Sequence, residues 1–350
     1  MKAVQWYAPR QMRLVDIPVP TPLPHEALIR IESCGVCGSD MHYYLDGHIG
    51  NQVIRDPLIL GHEYAGIVEA VGESADKSLL GKRVAVEPGV PCATCEYCLR
   101  GEYNVCPSMT FPGGPGCDGA FAEFITVHAG FCFPVPEEMP AVDAAMIEPL
   151  AVAIHTVELA RLKPGETAAI IGLGPIGLLT AAVAKYCGVN ALYGTDLHAY
   201  RVQAASQFGL DMAFAVSADT PGEGGQETVD HLMQVTSGRG VDVAFDCSNG
   251  REGIGIACRI TRPAGRCVLT GISGHEVDPL PVSIARRREL SLHWCRRFKH
   301  NFPTAIALLQ ALRIDIKPLL THSFPLEQTC EAFELVANSQ DNVLKVSIDQ

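Results

Sequence analysis

Through the first 150 residues the apolar positions fall in short β-prone runs at 2–7, 27–31, 65–71, 83–87 and 121–127, separated by Pro and Gly. Strands this short between turn signals predict an irregular β-rich domain rather than a parallel sheet. The pattern changes at 167. Residues 167–171 read as a buried parallel strand, followed by a Gly-rich turn and an apolar helix reaching Cys187. Strands are then predicted at 191–195, 212–216, 241–245, 266–270 and 289–294, with helices at 227–235 and 252–260 between them. Such alternation requires a parallel sheet with right-handed crossovers and helices on both faces. A helix over 303–312 leads back to the first domain. The predicted fold class is therefore α/β, with a β-rich domain formed by 1–153 and 294–350 and a doubly wound parallel-sheet domain at 154–293. No internal repeat or low-complexity segment interrupts it.

The turn between the first parallel strand and its helix is Gly172-Leu173-Gly174-Pro175-Ile176-Gly177. Gly-x-Gly-x-x-Gly is weak by itself, but between a buried strand and a helix it marks a dinucleotide-binding turn. The glycines let backbone N–H groups and the helix N-terminus approach a pyrophosphate. Asp196 closes the next strand, 22 positions after Gly174. A carboxylate there accepts from the ribose hydroxyls of NAD and repels the 2′-phosphate of NADP; an ordinary helix cap is the alternative. Arg201, five residues on, is a cation able to bind that 2′-phosphate, but the acid decides for NAD. Cys247, Gly271 and Ile272 fall at the C-terminal strand edge, where such a cofactor lies.

Composition narrows the partners. Net charge is −12, from 27 basic and 39 acidic residues, which argues against a nucleic-acid or anionic-membrane surface. The longest apolar run, 168–184, is too short and too Gly-interrupted for a membrane span. The N-terminus shows no secretion signal. Fourteen cysteines in such a chain point to metal binding and buried thiols in a reducing, cytoplasmic setting.

Two clusters carry metal chemistry. Cys92, Cys95, Cys98 and Cys106 give C-x2-C-x2-C-x7-C, four thiols able to close a tetrahedral zinc site with no open position. An iron–sulfur cluster is the alternative donor use, but the spacing differs from common cluster runs. The stretch from Gly35 to Gly66 supplies Cys37, His62 and Glu63, a thiolate, an imidazole and a carboxylate suited to a zinc that keeps one position open. Ser39 and His42 follow Cys37 closely, where a substrate proton must leave. Glu148 precedes Pro149 at the head of an apolar helix, and favours the helix dipole in any case.

Gly35-Val36-Cys37-Gly38-Ser39-Asp40, Gly61-His62-Glu63 and the four-Cys run together resemble the zinc-containing medium-chain alcohol and polyol dehydrogenases. The run 40–51 is most similar to the sorbitol and xylitol dehydrogenase branch, and the resemblance covers essentially the whole chain. It implies a GroES-like catalytic domain joined to a Rossmann domain, one catalytic and one structural zinc per chain, and NAD. It implies that Ser39 and His42 relay the proton. It also implies that Glu148 lies beside the catalytic zinc, leaving open whether Glu63 or Glu148 is the third ligand. Tyr43, Phe111, Arg297 and Phe298 are the implied substrate contacts. Two departures stand out: Phe298 replaces a Tyr usual in polyol dehydrogenases, and residues 111–116 replace an Ala-Thr-Pro-Pro-like loop. The expected reaction is oxidation of a secondary alcohol of a polyol to a ketose. A sugar acid, a vicinal diol or a threonine-like amino alcohol are alternative substrates, and a non-catalytic NAD-binding zinc protein is the alternative of a different class. An edge strand at 290–294 suggests a homo-oligomer, dimer or tetramer.

Overall fold

The computed structural model describes residues 1–217 and 225–350. The chain divides into two compact units: Met1–Glu148 with Lys299–Ala311 and Leu320–Gln350, and Pro149–Phe298 with Leu312–Leu319.

The first unit is built on the strand Glu26–Gly35. Its period-2 alternation points Ala27, Ile29 and Ile31 into the core, each at most 1% exposed. This strand pairs antiparallel with Glu63–Val71, with Phe124–His128 and with Lys345–Asp349. Arg83–Val86 and Cys132–Pro134 extend the sheet on one side and Leu320–Pro325 on the other. Its register sets Gly35 opposite Glu63 on one neighbour and opposite Ser347 on the other. Phe121 and Phe333 meet edge to face at 5.5 Å in the core, where burial of each large side chain contributes about 1.5–3 kcal/mol.

The strand expected at 121–127 begins only at Phe124. The residues before it hydrogen-bond elsewhere: Gly119 N to Ile59 O, Phe121 N to Leu60 O, and Val4 N to Phe121 O, at 2.7–3.0 Å. Their polar backbone is satisfied by loop and neighbouring-strand partners, which holds the 111–121 segment against residues 59–61.

The second unit carries a six-stranded sheet in the order Met212–Ala215, Ala191–Asp196, Thr167–Ile171, Val241–Asp246, Thr261–Leu269, Ser291–Trp294, every neighbour parallel. The central strands are rich in apolar residues, as a sheet covered on both faces requires; Val241–Asp246 is buried throughout, its two aspartates included. Thr261–Leu269 starts five residues before the expected strand. Val241 pairs with Thr261 and Val243 with Arg266, so the residues between bulge out of the ladder, Ala264 taking φ +57°. Among the described residues no helix is long and apolar enough to cross a membrane.

Candidate active site

Cys37 ends the loop leaving the strand Glu26–Gly35 and stands immediately before the helix Gly38–Asp46. His62 and Glu63 enter the neighbouring strand. Ligand atoms of Cys37, His62 and Glu63 all lie within 4.8 Å of one another. Zinc bonds of about 2.0–2.3 Å draw such donors only slightly closer, so this soft and hard donor set fits a zinc with an open fourth position. Ser39 Oγ is 3.4 Å from His62 Nε2, so the hydroxyl stands beside the donor set. His42 lies one turn along the helix, its Nδ1 3.9 Å from Asp46. Glu148 is 5% exposed; it lies outside the three-donor cluster, near enough to Lys345 for its charge to act on that ammonium.

Two residues that sequence reasoning passed over complete the cluster. Asp40 is fully buried. One of its oxygens accepts from Cys37 N at 3.0 Å, the other from Gly61 N at 3.1 Å, and His62 Nδ1 is 3.4 Å away. A carboxylate on the far ring nitrogen fixes tautomer and orientation and makes the imidazole a better ligand. Burial works against a charge on His62, but Asp40 and the Cys37 sulfur outweigh it and raise its pKa. Lys345 is the second. Its Nζ donates to Glu63 Oε2 and, at 2.8 Å, to Val36 O. Burial opposes its charge too, while Glu63 and Cys37 hold the ammonium protonated. Gly35 makes room for the pair: a side chain there would collide with Glu63 Oε2 and come within 3.1 Å of Lys345 Cε.

Phe111 packs its ring against His62, centroids 5.1 Å apart. Its loop can lie so close because Gly113, at φ +76°, has no side chain; a Cβ there would come within 2.9 Å of Gly61 N. Tyr43 is buried, its hydroxyl 3.4 Å from Gln52 Oε1. Ser39 and Tyr43 are one helical turn apart and share a face.

The four-Cys lobe brings Cys92, Cys95, Cys98 and Cys106 together, with sulfur pairs at 3.4–3.9 Å. A tetrahedron with zinc–sulfur bonds of about 2.3 Å has edges of about 3.8 Å, so the donors fit a closed zinc site. The amides of Cys92 and Cys95 point at sulfurs at 3.4 Å. Hydrogen bonds from the Thr94 backbone and side chain push the Cys92 thiol down to about 6.

In the second unit Gly172 has φ +86°, and Gly174 caps the helix Pro175–Tyr186 with Pro175 in its first turn and Ile176 beside it. A side chain at Gly177 would collide with Gly172 O, so the turn is compact and leads directly into a helix N-terminus, the setting in which backbone amides bind anions. Asp196 ends its strand and accepts from Leu173 N at 2.7 Å and His198 N at 2.8 Å, with Arg201 at 3.5 Å. The carboxylate thus ties the turn to the second strand. Cys247 N donates to Ile171 O, and Gly271 N to Asp246 O, each at 2.8 Å; Ile272 is exposed. Arg297, at φ +53°, and buried Phe298 close this unit.

A β-rich unit holding a thiolate, imidazole and carboxylate donor set, in one chain with a dinucleotide-type parallel sheet, defines a metal-dependent dehydrogenase. Residues 23–137 match the alcohol dehydrogenase GroES-like domain and residues 175–311 the zinc-binding dehydrogenase domain. The sorbitol dehydrogenase of Bacillus subtilis is 36% identical over 99% of this chain and 97% of its own length. Among solved structures, an alcohol dehydrogenase from Escherichia coli CFT073 in complex with NADH matches with TM-score 0.88 and 29% identity, over 100% of this chain and 99% of that one. L-Idonate 5-dehydrogenase from Escherichia coli matches with TM-score 0.86 and 28% identity, over 100% and 98%. The chain belongs to the zinc-containing medium-chain dehydrogenases, in their polyol dehydrogenase branch, and uses zinc and NAD.

Proposed function

We propose that this enzyme oxidises a secondary alcohol of a polyol, sorbitol- or xylitol-like, to a ketose with NAD. The observation that carries the reading is the donor cluster of Cys37, His62 and Glu63 with the Ser39 hydroxyl against His62. Zinc held there supplies a Lewis acid that lowers the pKa of an alcohol, and NAD supplies the hydride acceptor.

The protein's own groups do the rest. Ser39 accepts the hydroxyl proton, and His42, half-buried and next along the helix, passes it toward solvent. Asp40 holds the His62 ring, and Lys345 holds one oxygen of Glu63 while leaving the other free for the metal. Glu148 is the alternative third ligand. Phe111 walls the site, and Tyr43 binds a further substrate hydroxyl. In the second unit the 172–177 turn receives the pyrophosphate of NAD and Asp196 with Arg201 its adenosine ribose.

The likeness to L-idonate 5-dehydrogenase favours a second reading, a sugar-acid substrate. NADH formation across C4 to C6 alditols and the matching aldonates separates the two. Zinc-loaded protein that reduces NAD with none of them would instead support a binding protein without turnover.

A homo-oligomer is also proposed. The edge strand Ser291–Trp294 offers an unpaired ladder, and Trp294 is 62% exposed; the mass in solution by light scattering tests it. The thiol chemistry fits a reducing cytoplasm: all fourteen cysteines are unbridged.

A further inference from the structure

The strand Val241–Asp246 ends in a carboxylate that the reaction above does not use. Asp246 is 5% exposed. Its backbone carbonyl accepts from both Thr270 N and Gly271 N at 2.8 Å. Its side-chain Oδ1 accepts from Ser248 N at 3.1 Å and from Ser248 Oγ at 2.7 Å. One residue therefore ties down two turns that belong to different strands.

The turns are also in contact through glycines. A side chain on Gly271 would collide with Ser248 O, and one on Gly172 would come within 2.9 Å of Ser248 Cα. A side chain on Gly253, which opens the helix Gly253–Ile260, would collide with the Asp246 carboxylate itself. Three backbone segments thus close around residues 246–248 with no side chain between them. Any shift at Ser248 is transmitted to Gly172 and Gly271.

We propose that Asp246 is a positioning residue for NAD: by holding the Ser248 turn against Gly172 and Gly271 it sets the backbone floor on which the cofactor lies, and it does so through its ionised carboxylate. This rests on the reading that Gly172, Cys247 and Gly271 line the cofactor site.

The charged groups around it decide its pH dependence. Asp278 faces it from the 271–281 segment, with Arg251 Nε 3.5 Å from Asp278 Oδ1 and Ser273 Oγ donating to Asp278 Oδ2 at 2.5 Å. The Cys247 thiol beside it and the Cys267 thiol on the next strand are its other titratable neighbours; Glu252 stands just before the helix. Burial raises the Asp246 carboxyl to about 6, Asp278 adds to this, and the two Ser248 hydrogen bonds pull against it. As pH falls through about 6 the carboxylate takes up a proton, and its hydrogen bonds to Ser248 lose their charge-assisted strength.

Fluorescence titration of NADH against the zinc-loaded full chain between pH 5 and 8 tests this. Wild-type Kd should rise about tenfold toward pH 5, the size of one lost charge-assisted hydrogen bond. Asp246→Asn should bind weakly at every pH with no such transition. Asp278→Asn removes the like charge and should move the transition to lower pH; it keeps the test decisive even where Asp246→Asn folds poorly. A wild-type pH profile in Asp246→Asn, or an unmoved transition in Asp278→Asn, overturns the proposal. Asp196→Ala is the control for the underlying reading: if it and Asp246→Asn both bind NADH as wild type does, the cofactor assignment itself is wrong.

Discussion

At the scale of single residues, removing a donor and removing a donor's counter-charge have different expected outcomes. Cys37→Ser replaces the thiolate with a poor zinc ligand, so turnover should vanish while NADH binding and the thermal midpoint stay near wild type; residual wild-type turnover would remove the metal from the chemistry. Lys345→Met leaves Glu63 buried without its counter-charge. Breaking a buried pair in this way costs about 3–5 kcal/mol, so calorimetry should show a clear drop in Tm together with a fall in kcat. An unchanged midpoint would mean that Glu63 needs no partner. The three donors that the structure brings together were legible in the sequence because Cys37, His62 and Glu63 sit inside recognisable short segments. Asp40 was not, because an acid three residues after Cys37 also suits an ordinary helix start; the structure shows both the backbone bond from Cys37 and the contact with His62. Lys345 left a signal that could have been used. A lone ammonium inside Val343-Leu344-Lys345-Val346-Ser347-Ile348 cannot be buried without a partner acid.

At the scale of elements, the parallel strands were legible as short β-prone segments alternating with helices. The C-terminal strands Leu320–Pro325 and Lys345–Asp349 were not. They owe their conformation to pairing with each other and to the distant Glu26–Gly35, which no local pattern encodes. The strand Arg83–Val86 stops one residue short of expectation, and the residue after it has a thermodynamic signature. Glu87 is 3% exposed, and burial raises its carboxyl from 4.5 to about 7 against the hydrogen bond from Tyr103. The folded state keeps a proton that the unfolded chain releases between those values. Glu87 therefore costs nothing below about 4.5 and opposes folding increasingly as pH rises to 7, by about 3 kcal/mol once ionised. Glu87→Gln removes that cost, so its thermal midpoint should match wild type near pH 4 and exceed it by pH 8. Parallel melting curves would refute the burial argument.

At the scale of the whole molecule, the two donor clusters answer to different needs. The four-Cys lobe has no buried residue in its helix Glu96–Leu99, and Leu99 is 76% exposed, so little apolar packing holds it and metal bonds must. Cys95→Ser should reduce bound zinc from two per chain to one and lower the midpoint, while the remaining zinc still supports turnover at low temperature. Metal analysis beside activity checks this; loss of both ions together would show that the sites are not independent.

The ammonium that neutralises Glu63 lies 282 positions further along the chain. Cys37, His62 and Glu63 are therefore translated long before their counter-charge. The donor cluster is complete only once the strand Lys345–Asp349 has paired with Glu26–Gly35, so a chain cut before that strand should leave Glu63 without its cation.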